Sequence, residues 1–430
     1  MSSVFRMLRW IAFFALLACI AICAVAATTS IRGAYIDESG SLVIEYSDGR
    51  EQTLGTVVGA DGVDGKDGAD GIDGIDGKDG VGTGGAQTSL VDATTRGMRS
   101  AVSVVSTFKK SASSDEYYSA GAGVIYQLNK TTGSAFLITN HHVVYDEESY
   151  TADGISHSIS VYLYGAEYTD YAIPASYVGG SSYYDIAVLY VQGCDALKTD
   201  MPMAISVADS DRITLGEAAI AIGNAEGHGL AATSGVVSVD SEHITLSGDD
   251  HTTRVIRVDT PINHGNSGGG LYNSRGELIG IVNAKTVSSD VDNIAYAIPS
   301  NVAVAVARNI LDNCFGTSET SVMRPLLGVT ITTASTKAIY DAEDKRVYIV
   351  EEIVIHSVNE GTPVSGMLQE GDIFVSIACG DRVLPVTRQY HVIDFMLDVR
   401  LGDTVSFIVR RGTEELTYSV TITADMITPY

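Results

Sequence analysis

Residues 265–270 read Gly265-Asn266-Ser267-Gly268-Gly269-Gly270. Small residues around a serine let the backbone turn tightly enough to aim two N–H groups at one point. A serine hydroxyl is a poor nucleophile at neutral pH. It needs an imidazole to take its proton and a carboxylate to orient that imidazole. Two upstream segments carry such groups: Thr139-Asn140-His141-His142-Val143-Val144 and Asp185-Ile186-Ala187-Val188-Leu189. Taken singly, each has a plainer reading. A lone histidine is usually structural, and an aspartate at a strand start is often a turn cap.

The surrounding texture is β. Short apolar runs recur at Ala101–Val105, Gly123–Tyr126, Ala135–Ile138, Ile186–Val191, Ala218–Ile222, Gly235–Val239, Val255–Val258 and Leu278–Val282. Gly, Asn, Asp and Ser separate them, as in barrels and sandwiches. Helical periodicity is scarce before Val302–Leu311. The order His, Asp, Ser is that of a chymotrypsin-like double β-barrel, so this fold is expected over 96–316.

The three segments resemble those of the HtrA family of serine proteases, trypsin-like barrels followed by PDZ domains. The flanks Ala221-Ile222-Gly223-Asn224, Thr233-Ser234-Gly235-Val236-Val237 and Ala295-Tyr296-Ala297-Ile298-Pro299-Ser300 agree with it. The resemblance covers roughly residues 96–425. It implies Ser267 as nucleophile, His142 as general base and Asp185 as orienting acid. The N–H groups of Gly265 and Ser267 would form the oxyanion hole. His142 is preferred to His141 because the family pattern is Thr-Asn-x-His-Val. Asn283, Ala284, Lys285 and Thr286 would pair with substrate backbone. The chain departs from the family in having His264 before Gly265, and Gly270 after Gly269, where proline is usual. Pro261 stands where proteases that cut after Lys or Arg carry an acid, so a small or medium apolar side chain is expected before the scissile bond.

The same resemblance implies a PDZ domain over 317–425. Arg324-Pro325-Leu326-Leu327-Gly328-Val329 matches its carboxylate-binding entry. Gly361-Thr362-Pro363-Val364 and Gly366–Asp372 match the helix and turn that usually follow. Leu401–Val405 would open the last hairpin. The N–H groups of Leu327, Gly328 and Val329 would receive a peptide's carboxyl terminus, and the peptide would add a strand to the sheet edge.

Outward from these domains the chain changes character. Arg6 and Arg9 precede an uncharged run from Trp10 to Ala27, which reads as a signal peptide or an uncleaved anchor. On either reading the positive flank stays in the cytoplasm and the bulk of the chain lies outside. A bacterial cell-membrane location is the expectation, with secretion after cleavage as the alternative. Residues 28–58 read as short strands: Leu42, Ile44 and Tyr46 alternate before a Ser47-Asp48-Gly49 turn. Glycine then recurs every third residue from Gly59 to Gly80, each but the first preceded by Asp. This 59–82 stretch resembles collagen G-X-Y repeats, although it lacks proline; a triple helix and a solvated acidic spacer are both open. Residues 83–95 read as linker.

Composition sets the outer bounds. The 430 residues carry 27 Lys+Arg against 53 Asp+Glu, a net charge of −26 that argues against a nucleic-acid partner. Hydrophobic residues are 45%, too many for a disordered chain. Beyond the N-terminal run only Cys194, Cys314 and Cys379 remain, with no metal-ligand spacing and no disulfide framework; no cofactor motif is present. The expectation is an extracytoplasmic serine endopeptidase for unfolded or misfolded proteins, trimeric by resemblance. The alternative is a catalytically weak, chaperone-like peptide binder.

Overall fold

The computed structural model describes residues 31–39, 41–56, 90–166, 171–245, 251–284, 294–343 and 345–430. The expected membrane segment, the glycine-periodic stretch, Lys285 and Thr286 lie outside them. No helix among the described residues is long and apolar enough to cross a membrane. The chain forms two units, Met1–Gly84 and Gly85–Tyr430. In the first, strands β1 (Ile31–Ile36), β2 (Ser41–Tyr46) and β3 (Glu51–Thr56) make an antiparallel sheet.

The second unit opens with helix α1 (Leu90–Ser100), so the linker expected over 83–95 ends earlier than the sequence suggested. Its polar composition hid it. Ala93, Gly97 and Ser100 form one narrow buried face, and the Ser100 hydroxyl lies 3.0 Å from that of Tyr272.

Two closed antiparallel barrels follow, each of six strands. The first contains β4 (Ala101–Lys109), β5 (Glu116–Asn129), β6 (Ser134–Thr139), β7 (Ser158–Leu163), β8 (Ile173–Ser181) and β9 (Ile186–Val191), joined in the order β4-β5-β6-β9-β8-β7. A single helical turn, α2 (His141–Val144), leaves β6. The second contains β10 (Ala218–Gly223), β11 (Ala231–Ile244), β12 (Thr253–Val258), β13 (Gly270–Tyr272), β14 (Leu278–Asn283) and β15 (Ala295–Pro299), joined as β10-β11-β12-β15-β14-β13. Closure leaves no exposed barrel edge. Helix α3 (Ser300–Asn313) lies across the seam. Its Val302, Val306 and Ile310 share one core with Ile138 and Ile186 of the first barrel and Ile222 and Ile281 of the second.

A C-terminal sheet is appended. Short β16 (Met323–Pro325) precedes β17 (Val329–Asp341), β18 (Arg346–Val358), β19 (Ile373–Cys379), β20 (Arg382–Pro385), helix α4 (Gln389–Phe395), β21 (Thr404–Arg411), β22 (Glu414–Thr421) and β23 (Ile427–Pro429). The sheet order is β17-β18-β19-β21-β22, with β20 on β19 and β23 on β16. Val392 and Phe395 of α4 join Ile353, Ile377 and Phe407 in its core. The helix expected within 361–372 is instead a chain of turns, with Met367 and Leu368 both donating to the Val364 carbonyl. Proline and three glycines in that stretch disfavour helix.

Candidate active site

The chain reversal between the barrels brings the three expected side chains to one seam. His142 sits in α2, just past the inner end of β6. Thr139 anchors that end by donating to the Ala122 carbonyl at 2.7 Å. Asp185 sits at the start of β9 in a left-handed backbone conformation (φ 48°), which short acidic side chains tolerate better than most. The Asn140 side chain holds it there by donating to the Asp185 carbonyl at 2.8 Å. Ser267 comes from the second barrel, in the loop before β13. The Ala122 N–H of β5 donates to its carbonyl at 2.8 Å, stitching the two barrels together at Ser267.

Asp185 is 3% exposed, and its carboxylate accepts hydrogen bonds from His142 and Asn283. His142 donates its backbone N–H at 3.0 Å and its Nδ1 at 2.7 Å. Asn283 donates its amide at 2.8 Å. A carboxylate acceptor places the imidazole proton on Nδ1 and leaves the Nε2 lone pair available. The His142 side chain is 30% exposed. The Ser267 hydroxyl accepts from the Ala284 N–H at 3.2 Å. Among the described residues no hydrogen bond joins Ser267 to His142.

The loop around Ser267 is shaped by its glycines. Gly265 has φ 88°, and a Cβ there would meet the Asn224 carbonyl oxygen at 2.1 Å. Gly268 has φ 83° and donates to the Val282 carbonyl at 3.0 Å. The His264 carbonyl accepts from the Glu226 N–H at 2.7 Å. A planar peptide puts the next N–H on the opposite side, so the Gly265 N–H is turned away from that contact. Among the described residues neither the Gly265 nor the Ser267 N–H donates to a protein group. Gly270, where the family usually has proline, lies in β13 under the Tyr272 ring, which would stand 2.4 Å from any Cβ.

The remaining expected residues divide. His141 is buried and stacks on Tyr145 at 4.9 Å. Asn283, expected beside the substrate, is 1% exposed with its amide on Asp185; its place directly before Ala284 was the only sequence signal for it. Ala284 is half-buried with its N–H on the Ser267 hydroxyl. Farther off, Leu327, Gly328 and Val329 line a groove of about 380 Å³ between β17 and α4, with Arg324, Gln389 and Val392 also on its walls. Cys194, Cys314 and Cys379 are free, and burial pushes the Cys314 thiol up to about 11.

Comparison with known proteins decides the family. Residues 121–281 match the trypsin-like peptidase domain. Serine protease Do-like HtrA of Lactococcus lactis subsp. lactis (strain IL1403) is 30% identical over 315 residues, covering 70% of each chain. The chain belongs to the HtrA family of serine proteases. It is accordingly a serine endopeptidase. Serine protease Do-like HtrA of Bacillus subtilis (strain 168) is 31% identical over 72% of this chain and 64% of its own. The periplasmic pH-dependent serine endoprotease DegQ of Escherichia coli (strain K12) is 33% identical over 60% of this chain and 50% of its own. In solved form, the HtrA-type protease AlgW with tripeptide shares the fold at TM-score 0.51 and 24% identity, over 80% of this chain and 98% of that one. This HtrA protein thus has the mainly β, two-barrel architecture of its relatives.

Proposed function

We propose that this HtrA protease cleaves peptide bonds through Ser267, His142 and Asp185. The Ser267 oxygen attacks the substrate carbonyl carbon as its proton passes to His142 Nε2. The resulting oxyanion lies at the Gly265 and Ser267 N–H groups. His142 then gives its proton to the leaving amine, and water repeats the cycle on the acyl-enzyme. Asp185 remains ionised and stabilises the imidazolium. The single observation carrying this reading is the buried Asp185 carboxylate at 2.7 Å from His142 Nδ1, beside a glycine-bounded serine.

The groove between β17 and α4 is read as a PDZ site for peptide carboxyl termini, received by the N–H groups of Leu327, Gly328 and Val329. Its apolar walls and the neighbouring Arg324 support that role. Substrates are unfolded or misfolded proteins, which alone offer extended segments to the cleft. The enzyme works outside the cytoplasm, held by or released from residues 10–27, as a homotrimer to which 59–82 contributes.

A second reading, a peptide binder with little turnover, is favoured by the Ser267 hydroxyl accepting from Ala284 rather than meeting His142. A fluorophosphonate probe separates the two. Labelling of the wild type that is lost in Ser267→Ala supports the protease. No labelling from pH 5 to 9, with or without peptides, supports the binder.

A further inference from the structure

The groove is the near end of a much longer open edge. β17 stands last in its sheet and pairs on one side only, with β18. It is 13 residues long, about 40 Å at the usual strand rise. Its first residues, Val329–Ile331, also line the groove, and α4 flanks them: the Gln389 amide donates to the Ile331 carbonyl at 3.4 Å. Past the bulge at Ala334 the strand runs beyond the body of the domain. Glu351 and Glu352 on the facing strand are still tied down, by the Thr387 carbonyl accepting from the Glu351 N–H and by Arg410 at 2.8 Å. Beyond them, among the described residues, the strand pairing recorded for Lys337–Tyr340 is with Val347–Val350.

A ribbon of two strands is marginal by itself and gains from a third. Folded proteins normally guard such an edge with charge or proline. Here the strand from Val329 to Tyr340 is rich in threonine, has no proline and carries one charge, Lys337. Among the described residues no strand other than β18 pairs with it.

The geometry points to a docking track for a single extended polypeptide strand, continuous from the groove to the hairpin tip. This rests on the groove reading given above. A peptide seated by its carboxyl terminus at Leu327–Val329 runs antiparallel to β17, so its upstream residues follow the edge toward Asp341. Lys337 then favours an acidic residue roughly eight positions upstream of the terminus. The occupant is a lone strand rather than a second copy's sheet, because α4 stands across the groove from the proximal edge, its Gln389 amide reaching the Ile331 carbonyl.

The test uses the full chain carrying Ser267→Ala and fluorescein-labelled peptides with a free apolar carboxyl end. One set has about five residues and the other about twelve, uncharged but for a distal Asp. The longer peptide should bind about tenfold more tightly and should slow amide exchange at 335–341. A variant with 338–349 replaced by a two-residue turn should bind both lengths equally, and Lys337→Glu should remove the gain from Asp without touching short-peptide affinity. Equal affinity of both lengths for the parent chain overturns the track and leaves the groove standing. Failure of both lengths to bind overturns the groove and the track together. A sedimentation coefficient that falls when the hairpin is shortened, with no length effect, assigns the edge to self-association and also overturns the track.

Discussion

The Asn283 side chain donates to the same carboxylate oxygen, Asp185 Oδ2, that receives His142 Nδ1. The second barrel therefore reaches across the seam to hold the acid of the first. Asn283→Ala should lower kcat by about tenfold to a hundredfold, the range for losing a hydrogen bond to a charged group, with little change in KM. Asp185→Asn should cost about ten-thousandfold, since the wrong imidazole tautomer is then favoured. Steady-state kinetics on an unfolded protein substrate measure both. Equal losses in the two variants would deny Asn283 its supporting place.

Gly265→Ala places a methyl group against the Asn224 carbonyl in a backbone region costly for alanine. The His264–Gly265 peptide must move, and its N–H moves with it. Acylation, read by single-turnover kinetics, should slow by about a hundredfold or more. Thermal unfolding should change far less than turnover.

Gly97→Ala tests the α1 seat. A Cβ there would lie 2.6 Å from Ile222 Cδ1 and 3.1 Å from the Tyr272 ring, in a fully packed seam. Overpacking of this kind costs about 1–3 kcal/mol, to be read from urea unfolding. The helix itself would gain from alanine, so an unchanged or raised midpoint would place α1 outside the cooperative core.

Asp394 gives a pH prediction. It lies in α4 against the buried Arg254 of β12, with Asp211 also on that guanidinium at 2.6 Å. Burial pushes its carboxyl up to about 6, against the pull of Arg254. A carboxyl raised on folding binds protons more tightly in the native state. Its contribution is therefore full below the ordinary carboxylate range and is lost as pH rises through about 6. Urea midpoints followed from pH 4 to 7 should show this falling contribution, and Asp394→Asn should remove it. An identical pH profile in the variant would contradict it.

Much of the site was legible because its signals are local. Gly265 and Gly268 are required by backbone angles within a few residues of Ser267, and His142 directly precedes a valine that enters the core. Asn283 was placed beside the substrate by resemblance, as part of the strand that pairs with substrate backbone; nothing in the chain says that its amide faces a carboxylate ninety-eight residues away. Helix α1 was read as linker because its buried face is only Ala93, Gly97 and Ser100, too small and polar to stand out as apolar periodicity. Nothing near Gly270 in the sequence says that the Tyr272 ring covers it.

Local chemistry alone determined the mainly β barrels, the serine in its glycine turn, and the order of the histidine and aspartate, because strand alternation and tight turns depend on near neighbours. Only the tertiary structure decided which groups meet Asp185, which hydrogen bond the Ser267 hydroxyl makes at rest, and that β17 extends past its own domain. Those are contacts between residues far apart in the chain, set by how two closed barrels and a sheet pack, and no spacing within a segment encodes them.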